Sequence, residues 1–180
     1  MIQHLLTTIE LRKLGRPIGK VADDKLNAFI SEAEQLHIKP ILGDELFLDL
    51  LKEASLEDEE EKDTIKQMLL NGGSYYINKD TDREAIRSFM GLKVALSYFV
   101  YAQNLMVGDI ESTRFGSVIK ENDFSSRVSS KERSNAYNNT MEVANAYLKE
   151  CVEYCKANGL IKSAGRPAVA IGGITIKRIG

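Results

Sequence analysis

The sequence contains no tryptophan, and only two of its 180 residues are cysteines. These two, Cys151 and Cys155, cannot supply the several disulfides of a small secreted scaffold, so we expect a reducing compartment. No apolar run approaches the roughly 18 residues that a membrane-spanning helix requires. The first residues, MIQH, lack the basic start and long apolar core of a secretory signal peptide. We therefore expect a cytosolic single-domain protein, or one that is assembled in a cytosol.

Motifs for catalysis are also missing, since the sequence has no G-x-S-x-G, no P-loop and no G-x-G-x-x-G. Glu34 and His37 have the Glu-x-x-His spacing of di-iron bundles, but such sites use two copies of the motif. Only one copy occurs, and His4 lies outside any matching helix. We therefore interpret His37 as a helix-end residue favoured by the negative end of the helix dipole. Cys151 and Cys155 lie on one predicted helix face, where core packing explains them better than metal binding.

Apolar residues recur at steps of three and four along most of the chain, which predicts a mainly α fold, a bundle of about five helices. Asp23 or Asp24 is expected to cap the first helix, and Asp44 the second. Ser55-Leu56-Glu57-Asp58 resembles a capping box for the third helix, which Asn71-Gly72-Gly73 ends. The predicted core-facing residues of these helices are Leu26, Phe29, Ile30, Ala33, Leu36, Leu46, Phe47, Leu50, Leu51, Ile65, Met68 and Leu69.

The two longest predicted helices follow. Thr81-Asp82-Arg83-Glu84 is the clearest capping box in the sequence. The helix predicted behind it, to about Val107, is apolar nearly all round, which is typical of a helix at the centre of a bundle. The last predicted helix covers about 128–158. Its apolar stripe consists of Tyr137, Met141, Ala144, Leu148, Cys151 and Cys155.

The insert between these helices, residues 108–127, is long for a helix–helix connection. Residues 114–119, RFGSVI, favour a strand or a hairpin edge. Loops of this length are often functional. Four apolar residues of the insert argue against disorder: Phe115, Val118, Ile119 and Phe124.

The last sixteen residues, GRPAVAIGGITIKRIG, have no acidic residue and no helical period. Two short β-forming stretches, 169–171 and 174–176, flank Gly172-Gly173, a loop of the type that closes a tight hairpin. One face of this hairpin is apolar and must be covered, by its own core or by another chain, because a lone hairpin is marginally stable in water. We expect a helical domain over 1–160 and a docked arm over 161–180. The candidate contacts of the arm are Arg166, Val169, Ile171, Ile174, Ile176, Lys177 and Arg178.

Charge is distributed unevenly along the chain. Residues 1–20 carry +3 and residues 160–180 carry +4, and the net charge of the whole chain is −2. The middle of the chain is therefore acidic, with −9 over residues 21–159. This asymmetry is either a consequence of solvation or a sign that a basic end of one copy lies on the acidic body of another. The acidic body and the lack of a stacking platform argue against sequence-specific DNA binding.

Several stretches resemble the head–tail connector (adaptor) proteins of tailed bacteriophages, in the version found in phages and prophages of gut Bacteroidetes. They are LLTTIELRKLGRPI, DDKLNAFISEAEQLHIKPILGDELFLDLL, LLNGGSYYI, GLKVALSYFVYAQNLM and TRFGSVIKENDFSS, together with the terminal helix. The resemblance covers about residues 5–158 and consists of packing and turn residues without a catalytic signature. The glycine–isoleucine ending does not match the family pattern.

This resemblance implies a helical bundle with a β-insert between long helices. It implies a ring, typically of twelve copies, that joins the portal protein to the tail and continues the DNA channel, with no membrane contact. The insert Thr113–Phe124 and the arm after Leu160 would then contact adjacent subunits or the connector and tail proteins above and below. The candidate contacts of the insert are Phe115, Val118, Ile119 and Phe124. We expect a virion structural protein at the portal–tail junction, assembled in the bacterial cytoplasm, with no enzymatic activity and no cofactor.

Two alternatives come from other classes. The first is a small cytosolic binding or regulatory protein, monomeric or dimeric, whose C-terminal hairpin packs on its own core. The weaker one is a metal enzyme that uses Glu34 and His37.

Overall fold

The protein is described here from a computed structural model. The structure describes residues 4–18, 21–56, 58, 61–78, 81–82, 84–107, 110–113, 116–119 and 129–161. The predicted arm, apart from its first residue Ile161, lies outside this part of the chain. The described elements are α1 (Thr8–Lys13), α2 (Asp23–Ala33), a π-helical turn (Glu34–Ile38), α3 (Lys39–Leu42), α4 (Asp44–Ser55), α5 (Thr64–Asn71), β1 (Gly73–Ile77), β2 (Ala85–Phe89), α6 (Leu92–Val107), β3 (Ile110–Thr113), β4 (Gly116–Ile119) and α7 (Ser130–Ala157).

The expected fold, mainly α with a β-insert between the two longest helices, is confirmed. Helix α6 lies at the centre of the bundle and packs against α2, α5 and α7. Helix α7 runs antiparallel to α6, because Phe89 before α6 stacks on Tyr154 and Tyr98 stacks on Tyr147. The fully buried residues of α6 are Leu92, Ala95, Leu96, Ser97, Phe99, Val100 and Ala102.

Helix α7 contains fully buried residues in its second half only. Its buried residues are Ala144, Leu148, Cys151, Tyr154 and Cys155, which confirms the inner part of the predicted stripe. Tyr137 and Met141, at the outer end of the stripe, are only half-buried. The helix begins with a capping box in which the Ser129 side chain accepts from the Glu132 backbone N–H and the Glu132 carboxylate binds Ser129 in return.

The predicted aspartate caps are wrong, because Ala22 and Gly43 occupy the N-cap positions of α2 and α4 and neither helix has a side-chain cap. The aspartates instead lie in the first turns.

The helix that begins at Asp23 does not keep a regular α period. A π-helical turn, Glu34–Ile38, joins α2 to α3. Pro40 explains this turn, because proline has no N–H for a bond to the carbonyl four residues earlier and its ring would clash there. The wider turn shifts the faces of the helix, so that Ile38 is buried and Leu36, predicted to face the core, is 66% exposed.

The single helix predicted over 81–107 is wrong in its first part. Residues 73–77 and 85–89 form an antiparallel pair, β1 and β2, with Tyr76 opposite Ile86. Gly91, at φ +86°, separates β2 from α6. At this position a Cβ would lie 2.6 Å from the Asn71 carbonyl carbon, so the chain crossing between Asn71–Gly72 and Gly91 requires glycine.

The start of α5 also differs from the prediction. Asp63 caps the helix by accepting hydrogen bonds from the backbone N–H groups of Ile65 and Lys66, whereas Ser55 is the last residue of α4. The predicted end at Asn71 is confirmed. Leu69 is buried as expected, while Ile65 is 40% exposed.

Candidate interaction surfaces

The insert between α6 and α7 contains a β-hairpin. Strands β3 and β4 are antiparallel, with Ile110 opposite Ile119 and Glu111 opposite Val118. Among the described elements, each of these strands packs mainly on the other. The predicted strand at 114–119 is therefore confirmed over Gly116–Ile119.

The part of the chain that the structure describes includes only two of the predicted contact residues. Val118 and Ile119 lie in β4, and their role as contacts stays a prediction. The others fall outside the described residues, and the predictions for them stand untested: Phe115, Phe124, Arg166, Val169, Ile171, Ile174, Ile176, Lys177 and Arg178.

The β1–β2 sheet covers the second half of α7 with one of its faces. Tyr75 packs edge-on against Tyr154, with ring centroids 5.0 Å apart, and Phe89 stacks on the same ring at 4.7 Å. Tyr154 Oη donates a hydrogen bond of 3.1 Å to the Ile65 carbonyl. Arg87 forms an ion pair with Glu153 of α7. These contacts fix the inner face of the sheet on the helix.

The opposite face of this sheet is exposed and partly apolar. Side chains alternate between the two faces of a strand, so Tyr76 and Ile86 lie side by side on the outer face. They are 55% and 63% exposed. Strand β2 is exposed at residues 85–88 on both faces, whereas β1 alternates between half-buried and exposed positions. Within the described residues each strand of this two-stranded sheet has one unpaired edge, and β2 is the more exposed of the two strands.

A groove of about 250 Å³ runs beside β2 on the α7 side. Its charged lining consists of Arg87, Glu150 and Glu153, with two carboxylates against one guanidinium. Burial raises the pKa of Tyr75 in this groove, Arg87 lowers it, and the carboxylates of Glu153 and Glu150 raise it further. The groove is thus acidic. It could not be predicted from the sequence because its residues come from two distant segments.

A buried carboxylate ties the start of the chain to the π-helical turn. Glu34 is 3% exposed. Its Oε1 accepts a hydrogen bond of 2.6 Å from the Leu5 backbone N–H, and its Oε2 lies 2.9 Å from His4 Nδ1. Burial raises the pKa of Glu34, although the hydrogen bonds from His4 and Leu5 lower it in part. This contact explains Glu34 without a metal.

His37 does not lie at a helix end, because the chain continues helically into α3. Its ring stacks on Phe99, with centroids 4.3 Å apart and planes at 7°. Burial lowers the pKa of His37. The expected stabilisation of the protonated form by the helix dipole is therefore wrong, and the neutral ring packs on the core.

The two cysteines are buried and unpaired, which confirms their interpretation as core residues. Burial raises the pKa of each thiol to about 12. Within the described residues, no group of three or more His, Cys, Asp and Glu side chains is arranged to hold a metal ion. No helix in the same part of the chain has both the length and the hydropathy to span a membrane.

The basic N-terminal segment contacts its own body. Arg12 forms an ion pair of 2.6 Å with Asp23. The Arg16 guanidinium lies 3.9 Å from the centroid of the Tyr98 ring, a cation–π contact. Two of the four basic side chains of this end, those of Arg12 and Arg16, therefore contact the body of their own chain.

Sequence comparison identifies the family but not a function. No curated protein and no solved structure matches the chain. The family model that matches covers residues 38–162, from the end of the π-helical turn past the end of α7. Since this is more than two thirds of the chain, the protein belongs to the family of unknown function DUF6712.

Proposed function

We propose that the protein is a structural subunit of a phage head–tail adaptor ring, without enzymatic activity. The observation that carries the proposal is the β3–β4 hairpin between α6 and α7. It occupies the place that the resemblance to head–tail connectors assigns to the contact insert, and in the described chain it packs mainly on itself. A hairpin of two short strands is marginal in water, so contact with another subunit would stabilise it.

The β1–β2 sheet supports the same proposal. Its outer face exposes Tyr76 and Ile86 next to an open strand edge. Open edges with apolar side chains are surfaces on which other chains pair. A ring needs such heterologous contacts, in which each copy offers one surface and receives a different one.

The charge distribution fits a protein that surrounds DNA without binding it. The net charge is −9 over residues 21–159, and an acidic wall repels phosphates. Under this proposal the partners are further copies of the chain, the portal protein above and a tail or connector protein below, in the virion.

The proposal is tested by imaging the purified full-length chain in negative stain and by sedimentation velocity over a range of concentrations. Closed rings with a central channel are expected. A chain that stays monomeric or dimeric at every concentration contradicts ring formation and favours a small helical binding protein.

A further inference from the structure

We infer that the outer edge of β2 is a docking site for the C-terminal segment Ile174–Arg178 of a second copy of the chain. The segment would add to the sheet as a third strand, antiparallel to β2. This inference rests on the proposed ring and names the contact that joins one copy to the next.

The edge has two different sides. The outer side presents Tyr76 and Ile86, 55% and 63% exposed. The inner side opens into the groove that contains Glu150 and Glu153 of α7. A strand that fits here must therefore place apolar side chains on one face and polar or basic side chains on the other.

The sequence ITIKR at 174–178 has this alternation. Ile174 and Ile176 fall on one face of an extended strand, and Thr175 and Lys177 on the other. With Ile176 opposite Ile86, Ile174 lies opposite Ser88 and both isoleucines extend the apolar outer face. Thr175, opposite Arg87, then faces the groove, and Lys177, opposite Ala85, lies beside the groove on the same face.

Charge favours the same match. Residues 160–180 carry four basic residues and no acidic one, and Glu84 precedes β2 directly. In the antiparallel register above, Arg178 lies opposite Glu84, and opposite charges directly across two strands stabilise the pair. Main-chain hydrogen bonds to β2 would supply affinity, and the side chains would supply specificity.

The proposed ring is the reason to expect a second copy as the donor. Helix α7 ends at Ala157, and Leu160 and Ile161 still pack on the core of their own chain. A donor arm on one copy and a receptor edge on the next form the head-to-tail pair that closes a ring.

Cross-linking of full-length chains tests the site. One variant carries Ser88→Cys and a second carries Ile174→Cys, and the two are mixed under mild oxidation at pH 8. The native Cys151 and Cys155 give little background, because their thiols are buried with pKa raised to about 12. A disulfide-linked two-chain species is expected. The control replaces Ser88→Cys with Ser134→Cys, an exposed position in the other half of α7, and should give no such species.

Two results would overturn the inference. One is closure within a single chain when both substitutions are on the same molecule, without linkage in the mixture, which would show that the arm docks on its own sheet. The other is no bond in either case. If the unmodified chain forms rings and either of these results is found, the docking site is rejected and the ring is kept. If the two chains are linked but no rings form, the ring is rejected and the docking site is kept.

Discussion

Leu5 and Glu34 are joined by a hydrogen bond of 2.6 Å from a backbone N–H to a buried carboxylate. The bond holds the first described residues on the π-helical turn. Replacement of Glu34 by alanine leaves the Leu5 N–H without an acceptor, whereas glutamine keeps one. We expect Glu34→Ala to be less stable than Glu34→Gln by about 1–3 kcal/mol, measured by urea unfolding. Glu32→Ala, at an exposed position of α2, is the control and should change stability by less than about 0.5 kcal/mol. Equal stability of the two Glu34 variants would contradict a role for this bond.

The same carboxyl makes stability depend on pH in a definite direction. Its pKa is raised in the folded state above the ordinary value of 4.5. Above pH 4.5 the unfolded chain therefore loses this proton before the folded chain does, and ionisation of Glu34 costs the folded state free energy. We expect the wild type to lose stability relative to Glu34→Gln as the pH rises from 4.5 towards neutrality, in urea titrations of both proteins at each pH. A difference that stays constant or changes sign would contradict this.

Tyr154 has both a packing role and a hydrogen-bonding role, and two substitutions separate them. Tyr154→Phe removes only the bond to the Ile65 carbonyl and should cost about 0.5–1.5 kcal/mol. Tyr154→Ala also removes the ring that packs on Tyr75 and Phe89, and it should lower the free energy of unfolding by about 3–5 kcal/mol. Tyr76→Phe on the exposed face serves as the control and should change thermal unfolding little. Similar losses for both Tyr154 variants would show that the ring packing contributes little.

Gly72 and Gly159 both have positive φ, +87° and +69°, but their surroundings differ. At Gly72 a Cβ would lie 2.6 Å from the Met90 carbonyl carbon, whereas at Gly159 no atom lies within 4 Å. Gly159→Ala should therefore cost only the left-handed backbone strain, about 1–2 kcal/mol. Gly72→Ala must also move the backbone at the start of β1 and should cost about 3 kcal/mol or more. Comparable melting temperatures for the two variants would argue against the tight crossing at Gly72.

The exposed pair of Tyr76 and Ile86 should matter for assembly more than for folding. The double variant Tyr76→Ser/Ile86→Ser loses one cross-strand contact, and we expect a change in unfolding free energy of no more than about 1 kcal/mol. Sedimentation velocity should show loss of the oligomer. Val143→Ser, at another exposed apolar position, should leave assembly intact. Unchanged assembly of the double variant would remove this face from the interface, and so would equal loss in the Val143→Ser control.

Charge reversal at Lys177 and Arg178 tests the same contact by changing the arm rather than the β1–β2 sheet. Under the docking inference, glutamates at both positions would meet the acidic groove and Glu84 with like charge. Association should weaken while the melting temperature of the monomer stays within about a degree. Unchanged association would count against the arm as a contact.

The capping boxes show what the sequence could predict and why it failed elsewhere. Ser129 and Glu132 form a capping box at the start of α7, close to the predicted start. At Thr81 and Ser55 the pattern is present, but each hydroxyl donates backwards to the carbonyl three residues earlier. The motif marks a possible helix start, and the partners of the following chain decide whether a helix forms. Here residues 85–89 pair with β1 and form a strand of the sheet.

The periodicity was a reliable guide in α4 and in the second half of α7, but not at Ile65 in the first turn of α5, which is 40% exposed. The core faces of α4 and α7 follow the predicted spacing at Leu46, Phe47, Leu148 and Cys151. The prediction failed at Leu36, because Pro40 widened the turn and shifted the faces of the helix. The acidic groove beside β2 could not be predicted from the sequence, since it depends on the approach of Glu150 and Arg87 from segments far apart in the chain.

The burial of only the second half of α7 has a mechanical consequence. Residues of this helix are fully buried only from Ala144 onwards. Met141 still packs against the core, but the turns from Ser130 to Val143 contain no fully buried residue. These turns extend about 20 Å and follow the β3–β4 insert in the chain. If α7 stays straight, a tilt of about 5° in its buried half displaces its first residue by roughly 2 Å over that length. A small repacking of the core would therefore produce a larger shift at the end of α7 that follows the insert.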